Sequence, residues 1–254
     1  MQSATMIELN RENLEEQGGY CLRSKPTSNG YINKNNWLEE QMNAGLKYIK
    51  LLENKKQAGF IEYTASEYSS RVVHADNYLV IHCLWVHIPG KGYGTLLLNK
   101  CIEEARRQKK YGVAVVTNQD TSWTPSKEIF LKNGFSLVQE APYGFELLVH
   151  KLVDAPSPFF PDDWDRRLNR THELTIYRTN QCPFVEIATE NVREGAAKLG
   201  LQVNIVNMNS REELMALSPT PYGIFGVTYK GSLVAFHRIT VHSVIKRLRE
   251  PILR

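Results

Sequence analysis

The run Trp85-Val86-His87-Ile88-Pro89-Gly90-Lys91-Gly92-Tyr93-Gly94-Thr95 decides the fold. Before it lies a nearly continuous apolar stretch, 78–86, which reads as a strand buried at the centre of a sheet. After it, residues 92–110 read as a helix with Leu96, Leu97, Cys101, Ile102 and Ala105 on one side. Three glycines between strand and helix let the backbone approach a ligand without Cβ obstruction. The N–H groups that open a helix have no intrahelical partner, and the helix dipole favours an anion there. Lys91 adds a positive charge. This is the chemistry of a phosphate cradle, although by themselves the glycines fit equally a tightened loop. No Gly-Lys-Ser/Thr follows, which excludes the Walker pattern. No acidic residue ends a following strand, which excludes a clean dinucleotide fingerprint.

Outward from this turn, the elements alternate. Residues 112–117 form a second buried strand and 125–133 a helix that Asn133-Gly134 stops. Residues 135–139 and 145–152 read as two further strands. Upstream, 6–9 is a short strand, and Asn10 is placed to cap the helical turn that holds Asn13 and Glu15. Residues 33–44 read as a helix with Trp37, Leu38 and Met42 on its apolar stripe. Residues 47–53 and 57–63 flank a polar Asn54-Lys55-Lys56 turn as a hairpin.

The 254 residues leave room for one large or two medium domains, and 42% hydrophobic with 23% charged residues is an ordinary soluble composition. No apolar run approaches the ~18 residues that span a bilayer. The N-terminus lacks a basic and an apolar signal region, so no membrane partner and no secretion are expected. Cys21, Cys83, Cys101 and Cys182 form no Cys-x-x-Cys pair, which suggests a cytoplasmic, reducing setting and no metal site. The net charge of +4 suits an anionic ligand but is no argument for nucleic acid.

The glycine turn resembles the Gln/Arg-x-x-Gly-x-Gly/Ala motif of the GNAT superfamily of N-acyltransferases, with His87 or Pro89 near the position of the Gln or Arg. Val115-Val116-Thr117-Asn118, and then Ser126-Lys127-Glu128-Ile129-Phe130-Leu131-Lys132-Asn133-Gly134-Phe135, resemble that superfamily's second conserved block, Asn…Ala-x-x-x-Tyr-x-x-x-Gly-Phe. The resemblance covers residues 6–152 and is strongest over 78–140. It implies an α/β GNAT fold, a splayed mixed sheet flanked by helices, with acetyl-CoA as cosubstrate. Leu84, Trp85 and Val86 would then hold the pantetheine arm. His87, Pro89, Gly90, Lys91, Gly92, Tyr93, Gly94 and Thr95 would hold the pyrophosphate, with Asn118 and Phe130 also at the cofactor. The implied chemistry is direct attack of a neutral amine on the thioester.

The sequence departs from that pattern at Phe130, where the superfamily usually has a Tyr that can protonate the leaving thiolate. A phenyl ring donates nothing, so a water or another donor does so, or the thiolate leaves unprotonated. His82 on the central strand is the first candidate for the base, since its pKa lies near neutrality. It reads equally as a core histidine with its partners satisfied. Cys83 and Cys101 read as small core residues. Trp85 and Trp123 read as packing residues, either of which could line the acceptor site.

A Pro-rich stretch, 154–171, separates residues 1–153 from a second α/β domain at 172–254. Its order is strand 173–177, helix 184–199, strand 202–207, helix 211–217, strands 224–229 and 233–237, and helix 241–250. Thr175-Ile176-Tyr177-Arg178-Thr179-Asn180-Gln181-Cys182-Pro183-Phe184-Val185 resembles the active-site turn of thioredoxin-like proteins, above all the glutaredoxin Cys-Pro-Tyr-Cys form. Val185 stands where the second Cys would be. Thr220-Pro221 precedes a strand, where such folds carry a cis-proline. A GNAT domain with this tail resembles the YoaP-type acetyltransferases. Cys182 is therefore a candidate functional thiol, and equally a vestige in a domain kept for enclosure or dimerisation.

Two functions remain from the sequence. One is an acetyl-CoA-dependent N-acetyltransferase acting on a small-molecule amine. The other is a CoA-binding or thiol-sensing regulatory protein with little turnover. The basic residues Lys109, Lys110, Lys246, Arg247 and Arg249 read as solvated helix ends. A homodimer is left open.

Overall fold

The computed structural model describes residues 4–120 and 125–250. In chain order the elements are β1 (Ala4–Leu9), α1 (Leu14–Gln17), α2 (Asn29–Asn43), β2 (Lys47–Glu53), β3 (Lys56–Ala65), β4 (Tyr78–Val86), α3 (Tyr93–Arg107), β5 (Gly112–Asn118), α4 (Lys127–Lys132), β6 (Ser136–Ala141), β7 (Phe145–Lys151), α5 (Trp164–Leu168), β8 (Thr175–Arg178), α6 (Phe184–Ala197), β9 (Asn204–Asn207), α7 (Arg211–Leu217), β10 (Phe225–Tyr229), β11 (Ser232–Ala235) and α8 (Val241–Arg249). They fall into two compact units. The first takes in the chain up to Ser24, Asn35–Ser69 and Val73–Phe160; the second takes in Lys25–Lys34, Ser70–Val72 and the chain from Pro161 onward.

The first unit is built on a seven-stranded sheet in the order β1-β2-β3-β4-β5-β7-β6. Its neighbours pair antiparallel except β4 and β5, which run parallel. The parallel ladder is short. It joins Tyr78–Ile81 to residues 112–115 and ends at the Ile81–Val115 pair, although β4 runs on to Val86 and β5 to Asn118. The sheet is therefore splayed at its centre, at the end of β4 that leads into the glycine turn.

Each face of the sheet is covered. On one face, Leu97, Leu98, Cys101, Ile102 and Ala105 of α3 pack with Ile49, Ile61, Leu84, Phe130 and Phe135. On the other, Leu14 and Leu38 pack with Tyr48 and Phe60, with Trp37, Met42 and Cys83 at the margin. The apolar spacing of α3 makes one face of that helix core, which is why the sequence identifies it readily. The start of α2 at Asn29 is less legible, because Asn29-Gly30-Tyr31-Ile32 has no apolar period. Asn10 caps the turn into α1 as expected: its side-chain oxygen accepts from the amides of Glu12 and Asn13 at 2.9 and 3.0 Å.

The Pro-rich stretch is tied down within the first unit as far as Phe160. Phe159 and His74 exchange backbone hydrogen bonds of 2.8 and 2.9 Å, and the Tyr78 hydroxyl donates to the Pro156 carbonyl at 2.9 Å. Beyond it, α5 is a helix inside the 154–171 stretch expected as a linker. The guanidinium of Arg167 donates to Asp163 at 2.6 Å and lies 5.0 Å from the Trp164 ring.

The second unit has a four-stranded sheet in the order β11-β10-β8-β9. Strands β8 and β9 are parallel, and β10 is antiparallel to both β8 and β11. No peptide bond among the described residues is cis, so the cis-proline implied at Thr220-Pro221 does not occur.

Candidate active site

The glycine turn is solvent-exposed from Pro89 to Gly92. Gly90 and Gly92 adopt φ of 81° and 73°, in the left-handed region that favours glycine. A Cβ at either would meet nothing within 4 Å, so the space beside the backbone at both positions is open. The first intrahelical bond of α3 runs from Leu96 N–H to Gly92 O at 3.0 Å. The amides of Tyr93, Gly94 and Thr95 therefore precede the ladder, as expected of a helix N-terminus. Open backbone, fixed amides and the dipole of a 15-residue helix fit a phosphate-bearing cofactor.

Gly94 serves a different purpose from its two neighbours. A Cβ there would lie 2.1 Å from Cδ1 of Ile129 on α4. Its lack of a side chain lets the two helices approach, so it acts on packing.

Lys91 is committed within the protein. Its ammonium pairs with the carboxylate of Glu53 at the end of β2, and the Tyr93 hydroxyl donates to the same oxygen at 2.6 Å. The Lys91 and Tyr93 hydrogen bonds hold the Glu53 carboxyl below its usual value. Glu53 was not picked out from the sequence, because a Glu at the end of a hairpin strand carries no signal of its own.

Along β4, Leu84 is buried, Trp85 is 51% exposed and Val86 is half-buried. His87 is exposed and bonds Ala58 O through its amide at 2.8 Å. His82 is fully buried and lies where the β3–β4 ladder shifts register. Glu62 pairs with Cys83 and Tyr63 with Ile81, which leaves His82 as the extra residue of a bulge. Its Nδ1 is 3.1 Å from Oε1 of Glu62, and its Nε2 is 3.2 Å from the Ser69 hydroxyl. Neither Glu62 nor Ser69 was found from the sequence; both are polar residues on apolar positions, and only the fold brings them together.

Two candidates for cofactor contact are occupied elsewhere. Phe130 has no exposed surface and stacks edge-on against Phe135 with centroids 5.3 Å apart. It fills the core. The Asn118 amide donates to Tyr143 O at 2.9 Å, and its oxygen accepts from the Asp120 amide at 2.8 Å, so this side chain shapes its own loop. Trp123 lies outside the described residues.

In the second unit, Cys182 sits in the turn between β8 and α6, half-buried. Asn33 donates to Glu186 at 2.8 Å, and Arg178 grips Glu186 through two 3.0 Å bonds. A Cβ on Gly30 would lie 2.1 Å from Pro183 O, so the chain at Gly30 passes against this turn. Val185 is buried in the core. Among the described residues no group of three His, Cys, Asp or Glu could hold a metal ion, and no helix is long and apolar enough to cross a membrane.

The splayed sheet and the exposed turn at the start of α3 have the form of an acyl-CoA-binding domain. Residues 14–135 match the Acetyltransferase (GNAT) family. The chain is an acyl-CoA-dependent acetyltransferase, with acetyl-CoA as cosubstrate. Over 249 residues it is 29% identical to the uncharacterized N-acetyltransferase YoaP of Bacillus subtilis, covering 95% of this chain and 97% of that protein. Solved structures are more distant. The PaiA N-acetyltransferase of Thermoplasma acidophilum, in complex with coenzyme A, is 16% identical at a TM-score of 0.43, covering 59% of this chain and 99% of that one. A GNAT-family acetyltransferase of Staphylococcus aureus Mu50 is 17% identical at 0.44, covering 59% and 100%.

Proposed function

We propose that the chain transfers the acetyl group of acetyl-CoA to the amine of a small molecule by direct attack, with His82 as the base. The observation that carries the reading is the position of His82: it follows Ile81, the last β4 residue paired with β5, and lies on the strand that feeds the open glycine turn. In this reading Leu84, Trp85 and Val86 line the pantetheine arm. The backbone of Gly90 and Gly92 and the amides of Tyr93, Gly94 and Thr95 hold the pyrophosphate, with His87, Pro89 and Lys91 at the rim. Bound acetyl-CoA supplies an activated acyl thioester. The chain's own tasks are to orient the amine and to take its proton.

The second unit is, in this proposal, thioredoxin-like. The strand order, the parallel β8–β9 pair and the cysteine in the β8–α6 turn support that reading. The enzyme acts in the cytoplasm, alone or as a homodimer.

A second reading, a CoA-binding or thiol-sensing regulatory protein, is favoured by one observation: Phe130 offers no proton donor and is sealed in the core. Thiol release from acetyl-CoA with a panel of primary amines separates the two. Amine-dependent release supports the enzyme acting on amines. Tight acetyl-CoA binding by calorimetry, with no amine raising release above background, would replace it with the regulatory reading.

A further inference from the structure

On the face of the sheet away from α3, two cations meet with no carboxylate beside them. Lys50 pairs with Phe60, and Phe60 with Trp85, across β2, β3 and β4, so the three side chains share one face. The residues that alternate with Lys50 along β2 turn the other way: Leu51 packs with α3, and Glu53 accepts from Tyr93 on that helix. Lys50 is 1% exposed, and its ammonium donates to the Gln17 carbonyl at 2.6 Å. Arg23, exposed in the connection from α1 to α2, comes to the same place. With its amide turned to suit them, the Gln57 oxygen accepts from Arg23 at 2.6 Å and from Lys50 at 3.2 Å. Among the described residues neither cation has a carboxylate partner. Burial, and then the charge of Arg23, push the Lys50 ammonium down to about 8.

A buried ammonium is costly to keep charged unless an opposite charge meets it. A backbone carbonyl and one shared amide oxygen are neutral acceptors and cancel neither charge. A guanidinium fork beside an ammonium matches the two oxygens of a carboxylate. The Gln57 amide can also rotate to present its NH₂ to an arriving anion. Arg23 is exposed and Gln57 half-buried, so the cluster meets solvent on the Arg23 side, with Lys50 as its floor.

The face it occupies separates this cluster from the cofactor's phosphates, whose proposed place is the start of α3. It shares its face instead with Trp85, which is 51% exposed near the end of β4. The two are about 10 Å apart, two strand spacings. The Tyr20 ring lies 5.0 Å from Phe60, and its hydroxyl interacts with the Trp85 side chain. These contacts tie the connection that carries Arg23 to the same end of β4.

We propose that Arg23, Lys50 and Gln57 anchor a carboxylate of the acceptor, so that the amine acetylated by this protein is an amino acid, with the exposed Trp85 ring between that anchor and the thioester end of β4. The inference rests on the proposed amine acetylation and names its substrate class.

The test is thiol release from acetyl-CoA by the full chain at pH 7. The acceptors are the common α-amino acids, β-alanine and γ-aminobutyrate, each paired with its carboxamide. For the best acceptor, kcat/KM for the acid should exceed that for the amide by about 10-fold or more, the scale of one charge-assisted hydrogen bond. Arg23→Gln should remove most of that preference through KM, and Arg23→Glu should reverse it. Lys50→Met should act as Arg23→Gln does. Should it not fold, the Arg23 variants carry the test, since that residue is exposed. Acetyl-CoA affinity by calorimetry should stay as in the wild type. If it falls with these variants, the anion held there is a phosphate of the cofactor and the anchor is overturned. Acids and amides reacting alike in the wild type would overturn it too. If no amine releases thiol, binding decides. In the chain saturated with CoA, the Arg23 Nε–H signal, assigned by its loss in Arg23→Gln, should shift with an acid of the panel and not with its amide. Such a shift without turnover upholds the anchor and refutes the amine acetylation. No shift with any acid overturns the anchor.

Discussion

The hydroxyl of Tyr93 donates a 2.6 Å hydrogen bond to Glu53, the residue that ends β2. This bond ties the first residue of α3 to a strand two places away in the sheet, and the Lys91 ammonium joins it at the same oxygen. The conformation of the glycine turn is thereby set from outside the turn.

A pH dependence follows. The native Glu53 carboxyl lies below its ordinary value, chiefly through the hydrogen bond from Lys91 and then that from Tyr93. A lowered carboxyl stabilises the native state above its unfolded pKa and loses that stabilisation as pH falls through the native one. Glu53→Gln should melt below the wild type at pH 7, and the gap should narrow only below the ordinary carboxylate range. Melting temperatures of the two proteins from pH 7 to pH 3 measure this. A gap that is constant with pH would mean that the charge contributes nothing.

Gly92 and Gly94 should respond differently to substitution. Gly92→Glu places a charged side chain in the open space beside the proposed phosphate cradle, so acetyl-CoA affinity should fall at least 10-fold, with a modest stability loss of about 1–2 kcal/mol from the positive φ. Gly94→Ala instead drives a methyl into Ile129 Cδ1, so melting temperature should fall. The double variant Gly94→Ala with Ile129→Val removes that methyl and should recover part of the loss. Calorimetry and thermal melts on the three proteins test the division. Equal effects of both single variants on affinity alone would show that both glycines serve the cofactor.

Phe130→Tyr should not restore a missing acid. The ring is wholly enclosed and packs on Phe135, so a hydroxyl added there is buried without a designed partner. That costs about 1–3 kcal/mol. Turnover per folded molecule should stay within a few-fold of wild type while stability falls. A 100-fold gain in kcat would place this ring at the reacting sulfur.

The cysteines should separate under alkylation. Cys182 is half-buried just before a 14-residue helix, at the positive end of its dipole. Cys101 is wholly buried, and burial pushes its thiol well up. In brief iodoacetamide treatment at pH 7, Cys182 should label well ahead of Cys101 and ahead of Cys21 and Cys83. With Val185 in the core, oxidation should give a sulfenic acid or a mixed disulfide. If Cys182 labels no faster than the other three, it has no special reactivity and the second unit is a structural one.

Much of the fold was legible because its signals are local. The bounds of β4 follow from a nearly continuous apolar run, and the existence of α3 from its amphipathic spacing after Gly90 and Gly92, although the helix ends at Arg107 and not at Lys110. The site was legible in part, for the same reason. Gly90 and Gly92 announce a positive φ in one dimension, whereas the role of Gly94 depends on Ile129, 35 positions later, and could not be read from the turn. His82 stood out by residue type. Its partners did not, because Glu62 is brought to it by strand register and Ser69 by the loop after β3. Phe130 shows the limit of a motif position: the pattern marks the residue, while burial of its phenyl ring in the core depends on the packing around it.

The parting of β4 from β5 after Ile81 and Val115 also divides the clock of the sheet. Amides in the joined segments should exchange with solvent deuterium only when the whole unit opens. Those further along β4 that turn away from β3 answer to local breathing, and exchange orders of magnitude sooner. A single strand thus holds both slow and fast sites, and a molecule that fills the gap would register as slowed exchange confined to the last residues of β4.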